Sequence, residues 1–227
     1  MTHQEGAASA GGRPPPPRAI RLIGNGINRV VARWPAMWPL LRRPVRRFFD
    51  RLAGGWDERI APDSPEHLAA LVAALDRLET TPRRALDIGT GTGAAGLMLA
   101  RRYPGTEVTG IDISPRMIEA ARAKVPDDLA ARVEFSVADA GSLQFEEASF
   151  DLVVQISVPA FFDEVARVLA PGGYVIVVSS LGPATPFHTP DRILREGFAR
   201  RGVQEAATGT GGRGTFFIAR RAAAGAE

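Results

Sequence analysis

The 227-residue chain contains no cysteine, which excludes disulfides, thiol catalysis and cysteine-ligated zinc. Lys124 is its only lysine, so positive charge is almost entirely guanidinium. No uninterrupted apolar run approaches the length of a membrane span. The first twelve residues also lack the charged start and apolar core of a signal peptide, so a cytoplasmic location is expected. Histidine is scarce, at His3, His67 and His188. The length leaves room for one α/β domain and a modest extension, and not for a separate substrate domain.

What charge there is lies unevenly. Residues 13–51 hold ten Arg against the single Asp50, whereas residues 52–227 hold 18 basic and 23 acidic residues. Residues 1–19 are small, polar and proline-rich and cannot bury enough apolar surface to offset the entropy of ordering, so a disordered tail is expected there, with a second short tail at 222–227. Residues 20–63 read as a basic helical extension or lid. Ile20, Ile23, Ile27, Val30, Val31 and Trp34 recur at the helical period. Pro35, Pro39 and Pro44 are expected to break any continuous helix, and a second short pattern, Val45, Phe48, Phe49 and Leu52, closes at Gly54-Gly55. Residues 64–221 form the main domain.

That domain alternates strand and helix. Ser64-Pro65 and Ser114-Pro115 each combine an N-cap serine with proline in the first turn. Strand patterns end near Ile88, Asp112, Val137, Ile156 and Ser179, with helices between them. The chain closes on two strand patterns, 203–208 and 215–220, joined by the glycine-rich run Gly209–Gly214. The expected architecture is a doubly wound, mostly parallel seven-stranded α/β sheet ending in an antiparallel hairpin, with ligands beyond the carboxyl ends of the strands.

The chemistry concentrates in Arg84–Gly96, where a buried-strand run breaks into Gly89-Thr90-Gly91-Thr92-Gly93 and then a helix. Glycine lets the backbone bend without a Cβ, so a ligand can lie against the main chain, with the amides of the next helix's first turn expected to face it. Gly91–Gly96 also fits the dinucleotide pattern G-x-G-x-x-G, which alone is weak. Asp87, inside the strand, is a poor neighbour for a pyrophosphate and a good one for a cation. Asp112 ends the next strand, where it can accept both hydroxyls of a ribose.

With these residues in place, Leu86–Gly93 resembles the first motif of the class I S-adenosylmethionine-dependent methyltransferases, of small-molecule type. Ile111–Ser114 resembles that family's ribose-binding strand end, Val137–Ala140 its adenine-binding segment, Phe150–Gln155 its fourth strand and Val168–Val177 its turn into the fifth. The resemblance implies a Rossmann-like methyltransferase fold and S-adenosylmethionine as cofactor. It places Asp87 at the methionine end, Asp112 with Ile113 and Met117 at the ribose side, and Asp139 with Ala140 at adenine, around Gly89, Thr90, Gly91 and Gly93. Gln155 is a candidate for facing the methyl group or the acceptor, and His188, in the loop after the fifth strand, for a general base. Phe48–Asp57 resembles the amino-terminal lid of small-molecule members, including quinone C-methyltransferases, which implies that Trp56 and Asp57 help close the site.

The segment Ser157–Ala170 is shorter than in many members, which puts one wall of the pocket in question. The expected partner is a small, apolar-bodied methyl acceptor; a nucleic-acid module is lacking, and peripheral membrane contact through residues 20–53 is the less favoured reading of the basic extension. A nicotinamide-dependent oxidoreductase and a non-catalytic cofactor-binding or membrane-associated protein are the alternatives. No metal site is expected.

Overall fold

The computed structural model describes residues 16–223. Residues 1–15 and 224–227, which hold His3 and most of both expected tails, lie outside the described residues. Helix α1 (Arg18–Arg33), a 3-10 turn (Pro35–Met37), α2 (Trp38–Leu52) and the short α3 (Trp56–Ile60) precede α4 (Pro65–Leu75). The domain then runs β1 (Arg84–Ile88), α5 (Ala94–Arg102), β2 (Glu107–Asp112), α6 (Pro115–Arg122), β3 (Val133–Val137), β4 (Phe150–Ile156), α7 (Phe162–Val168), β5 (Leu169–Ser179), α8 (Asp191–Ala199), β6 (Val203–Gly211) and β7 (Gly214–Arg221).

The strands form one seven-stranded sheet in the order β3-β2-β1-β4-β5-β7-β6. Only β7 opposes the rest, pairing antiparallel with both β5 and β6. Alternation along each strand divides the core into two. Ala85, Leu152, Val154, Ile176 and Phe216 face α4, α5 and α6, while Leu86, Val153, Val175, Val177 and Phe217 face α7 and α8. A third, smaller cluster joins the amino-terminal helices to the sheet: Val31, Trp38 and Val45 pack with Phe161.

Both serine caps form as expected, Ser64 Oγ accepting from the His67 N–H and Ser114 Oγ from the Met117 N–H, each at 3.2 Å. The prolines follow expectation in part, since Pro35 opens the 3-10 turn that separates α1 from α2. Pro39 falls in the first turn of α2, where its missing N–H is no loss, but Pro44 lies inside that helix without ending it. Pro44 and Leu40, whose carbonyl loses its partner, are both exposed, so water can serve that carbonyl.

The glycine-rich run near the end is also strand rather than loop. β6 continues to Gly211 and the reversal is confined to Gly212-Arg213, with Gly212 at φ +56°. A Cβ on Gly211 would sit 2.4 Å from the Ala69 carbonyl oxygen of α4, and one on Gly209 would sit 2.5 Å from the Phe216 ring. These glycines are there because a helix and a ring press on the strand.

Candidate active site

Asp87 lies one residue before the end of β1, beside Val154 of β4, and is almost wholly buried. Thr90 Oγ1 donates to its Oδ2 at 2.6 Å, and the Gly96 N–H also donates to this carboxylate. Burial nevertheless pushes the carboxyl up to about 6. Asp112, at the end of β2, accepts the Ser114 N–H on Oδ1 at 2.8 Å and the Gly91 N–H on Oδ2 at 3.1 Å. It too is pushed up to about 6, first by burial and then by the nearby Asp50 carboxylate. A charged group held this way gains from any cation or hydrogen-bond donor that arrives.

The turn between β1 and α5 puts Gly89, Gly91 and Gly93 at φ +73°, +55° and +88°. Most of the turn's own amides are bonded inside the protein; of the α5 first-turn amides expected to face a ligand, that of Gly96 donates to Asp87. The Gly89 and Thr90 N–H groups donate to the Ile111 carbonyl at 2.8 and 2.9 Å, and that of Gly93 to the Thr90 carbonyl at 2.9 Å. With the Gly91 N–H on Asp112, four of the five amides from Gly89 to Gly93 are spent inside the protein. The glycines themselves serve different ends. A Cβ at Gly93 would meet the Phe135 ring at 2.9 Å, and one at Gly89 would meet Val158 Cγ1 at 2.1 Å. Only Gly91 has an open side, with Trp56 Nε1 its nearest neighbour at 3.8 Å from the added Cβ.

Asp139 follows β3 and is already engaged. It accepts from Trp38 Nε1 at 2.5 Å, from Arg42 Nη1 at 2.9 Å and from its neighbour Gly141 N–H at 2.9 Å. Beside it a cavity of about 340 Å³ is lined by Ile113, Val137, Ala138, Asp139 and by Arg42, Arg43 and Arg46 of α2. That volume is within the range of small-molecule sites. Ala140 packs nearby against the Trp38 cluster, and Met117 is buried in the first turn of α6.

The short segment after β4 turns sharply at Ser157, φ +56°, and lays Val158 over Gly89. The amino-terminal helices pack against this segment and the loop after β5. Asn28 of α1, 2% exposed, donates to the Phe187 carbonyl at 2.7 Å and to Thr189 Oγ1 at 2.6 Å, and accepts the Ala160 N–H at 3.3 Å. Trp38 packs edge-on against Phe161 with ring centres 5.0 Å apart. Gln155, fully buried at the end of β4, donates weakly from Nε2 to the Pro159 carbonyl at 3.4 Å, and its Oε1 has no partner among the described residues.

Trp56 and Asp57 both reach the glycine turn. Thr92 Oγ1 donates to Asp57 Oδ1 at 2.6 Å and Lys124 pairs with Oδ2. Burial pushes that carboxyl up, but the Lys124 and Thr92 bonds outweigh it and hold it below the usual value. Asp50 ties α2 to the same region by accepting the Ser114 hydroxyl at 2.6 Å. His188 is half-buried after β5, with Nδ1 2.9 Å from Ser179 Oγ and its N–H donated to Asn25 Oδ1 at 3.0 Å. Burial holds its pKa below the ordinary histidine value. His67, by contrast, belongs to the first turn of α4 and is not part of this cluster.

Asn28, Trp38, Arg42 and Asp50 were not legible as site residues. Asn28 did carry a signal, as a polar residue set among the apolar positions of α1, and so did Asp50, the lone acid of an arginine-rich stretch.

Three carboxylates at successive strand ends around a glycine turn match what residues 85–173 show by comparison, since that segment fits the family model described as a methyltransferase domain. Residues 85–173 are similar to a methyltransferase domain. The chain is 43% identical over 108 residues to a demethylmenaquinone methyltransferase from Thermus thermophilus, covering 44% of this chain and 49% of that one. It is 35% identical over 151 residues to a malonyl-[acyl-carrier protein] O-methyltransferase from Halorhodospira halophila, covering 63% and 50%. The aligned region thus spans about half the length of these curated relatives. A solved SAM-dependent methyltransferase from Methanosarcina mazei superposes with a TM-score of 0.54 at 25% identity, covering 66% of this chain and 97% of that one.

Proposed function

We propose that the chain transfers a methyl group from S-adenosylmethionine to a small, apolar-bodied acceptor by direct displacement. The observation that carries this reading is the pair of buried carboxylates, Asp87 and Asp112, set against the glycine turn. Such a site favours a cationic, hydroxyl-bearing ligand and places negative charge where a pyrophosphate would lie, which counts against a nicotinamide enzyme.

The residues present fit that cofactor. The open side of Gly91 gives a close approach, Asp112 suits the ribose hydroxyls, and Asp139 with Ala140, Ile113 and the 340 Å³ cavity suits adenine. Asp87 and the orphaned Gln155 Oε1 suit the cationic methionine end. When bound, the cofactor supplies a methyl group on a positively charged sulfur, already activated toward a nucleophile.

The protein's share is then to align and to exclude water, which suffices for much of the acceleration of such a displacement. Val158, Trp56 and Phe49 provide apolar walls near the turn, Phe49 and Trp56 packing with ring centres 5.9 Å apart. His188 stays neutral at pH 7 because burial disfavours its charged form. With Nδ1 engaged by Ser179, Nε2 is the atom through which it would take a proton from an acceptor hydroxyl. The relatives' names differ in acceptor, a quinone precursor in one and a protein-borne malonyl group in the other. The aromatic lining of Phe49, Phe161 and Phe187 supports an apolar body over a highly charged one.

The test is thermal unfolding with saturating ligand. S-adenosylhomocysteine raises the melting temperature and NADH does not, because only a ligand of the folded form stabilises it. A shift from NADH alone, or equal shifts from both, overturns the reading.

A further inference from the structure

The amino-terminal helices leave an unusual surface. Of the eight large apolar side chains exposed among the described residues, seven lie between Ile20 and Phe48, and only Val137 falls elsewhere. Isolated exposed apolar residues are ordinary, but a contiguous group marks a contact surface. Leu22 and Leu40 are 64% and 70% exposed, and Trp34 stands at the corner between α1 and α2 with the Arg33 guanidinium 5.6 Å from its ring centre. Between the two helices runs an apolar cleft of about 200 Å³, lined by Ile20, Ile23 and Ile27 from α1, Leu41 and Phe48 from α2, and Phe187 behind them.

The same two helices hold nine Arg and, as their only acid, Asp50, while residues 52–227 carry more acid than base. The two properties interleave. Leu40 shares its face of α2 with Arg43 and Arg47, three and seven residues away, and Arg33 lies against the exposed Trp34 ring. A protein partner's apolar face would leave these guanidinium groups to be desolvated. A boundary where apolar chains and anionic oxygens meet within a few ångströms accommodates both, the apolar side chains entering the acyl layer and the Arg stems reaching back to phosphate.

We propose that the α1–α2 hairpin docks the protein on an anionic lipid bilayer, with the cleft facing the acyl chains. No helix among the described residues is long and apolar enough to cross a membrane, so the contact is peripheral. Docking does not depend on methyl transfer. If the proposed function holds, it gives the cleft a use, because Phe49 and Phe187 at its floor lead by ring contact to Trp56 above the glycine turn.

The experiment is co-sedimentation of the full chain with phosphatidylcholine vesicles, with and without phosphatidylglycerol, at physiological salt. The expected result is a partition about tenfold or more larger on the anionic vesicles, weakening as salt rises. Ile23→Glu/Leu40→Glu, two changes at exposed positions outside the site, is expected to lower that partition about tenfold or more while thermal unfolding and S-adenosylhomocysteine binding stay at the wild-type level. Trp34 emission should shift to the blue on the anionic vesicles, a change absent in Trp34→Phe. Equal partition on both vesicle types, no partition on either, or a double variant that binds like wild type overturns the proposal. So does a dimer abolished by the double variant without any vesicle binding, which would assign the face to a second copy. Vesicle binding without any effect of S-adenosylhomocysteine would sink the methyltransferase reading and leave this one standing.

Discussion

Asp87 is costly to the empty protein. Its carboxyl is pushed up to about 6 by burial, against the pull of the Thr90 hydroxyl and the Gly96 N–H, whereas a solvated aspartate titrates near 3.9. The folded form therefore holds its proton more tightly than the unfolded chain does. Between those two values the unfolded chain loses its proton first, so stability falls as pH rises and stays low above about 6. The full difference corresponds to about 3 kcal/mol. Asp87→Asn removes the charge while keeping an oxygen for the Thr90 hydroxyl. Its amide group needs a partner of its own, so the net gain should be about 1–3 kcal/mol at pH 7.5, or roughly 2–10 °C in melting temperature for a chain of this size. At pH 4 the gain should all but vanish, because the wild-type carboxyl is then protonated in the folded state. Calorimetric melts of both proteins from pH 4 to 8, without ligand, measure this directly. A variant that is less stable than wild type at pH 7.5, or one equally stabilised across the range, would refute the account of a carboxylate kept buried for a cation. The same variant should bind S-adenosylhomocysteine more weakly, trading affinity for stability.

Asp112→Ala should weaken S-adenosylhomocysteine binding by about 10- to 150-fold in calorimetric titration, the value of charge-assisted hydrogen bonds worth roughly 1.5–3 kcal/mol, with Asp112→Asn between it and wild type. A dissociation constant within about twofold of wild type in the Ala variant would place the ribose elsewhere. Asn28→Ala strands the Phe187 carbonyl and the Ala160 N–H and should cost about 1–3 kcal/mol in denaturant unfolding; an unchanged midpoint would mean that α1 is not anchored through this side chain. Gly211→Ala drives a Cβ onto the Ala69 carbonyl, whereas Gly105→Ala meets nothing within 4 Å. The first should lower the melting temperature and the second leave it unchanged, and equal behaviour would contradict the close approach of α4 to the hairpin.

The parts of the site that were legible in the sequence are those set by short spacings. The glycine turn, Asp87 within its strand, Asp112 at the next strand end and the two serine caps each depend on a few neighbours, and the structure has them as read. What was misread depends on contacts far along the chain. Gly209 and Gly211 look like loop residues until α4 and Phe216 are brought against them. Pro44 looks like a break until its position on an exposed helix face is known. The Gly89 and Thr90 amides look available until the Ile111 carbonyl, supplied by β2, is placed beneath them.

Asp139 shows most clearly how local and distant information combine. Its position after β3 pointed to an acceptor for adenine, but nothing local indicated that Trp38 and Arg42, about a hundred residues earlier, would use the same carboxylate. A carboxylate has about four acceptor positions, and three are taken by Trp38 Nε1, Arg42 Nη1 and the Gly141 N–H. Trp38 is buried and wedged against Gly141 and Phe161, so it cannot leave without moving α2. Arg42 is largely exposed, and its bond is worth little in water. Under the proposed function, a cofactor amino group would take the fourth position or displace Arg42 at small cost, while Trp38 stays. The amino-terminal helices and the cavity beside β3 then hold one carboxylate in common, which ties the seating of α2 to the shape of the pocket that α2 itself walls.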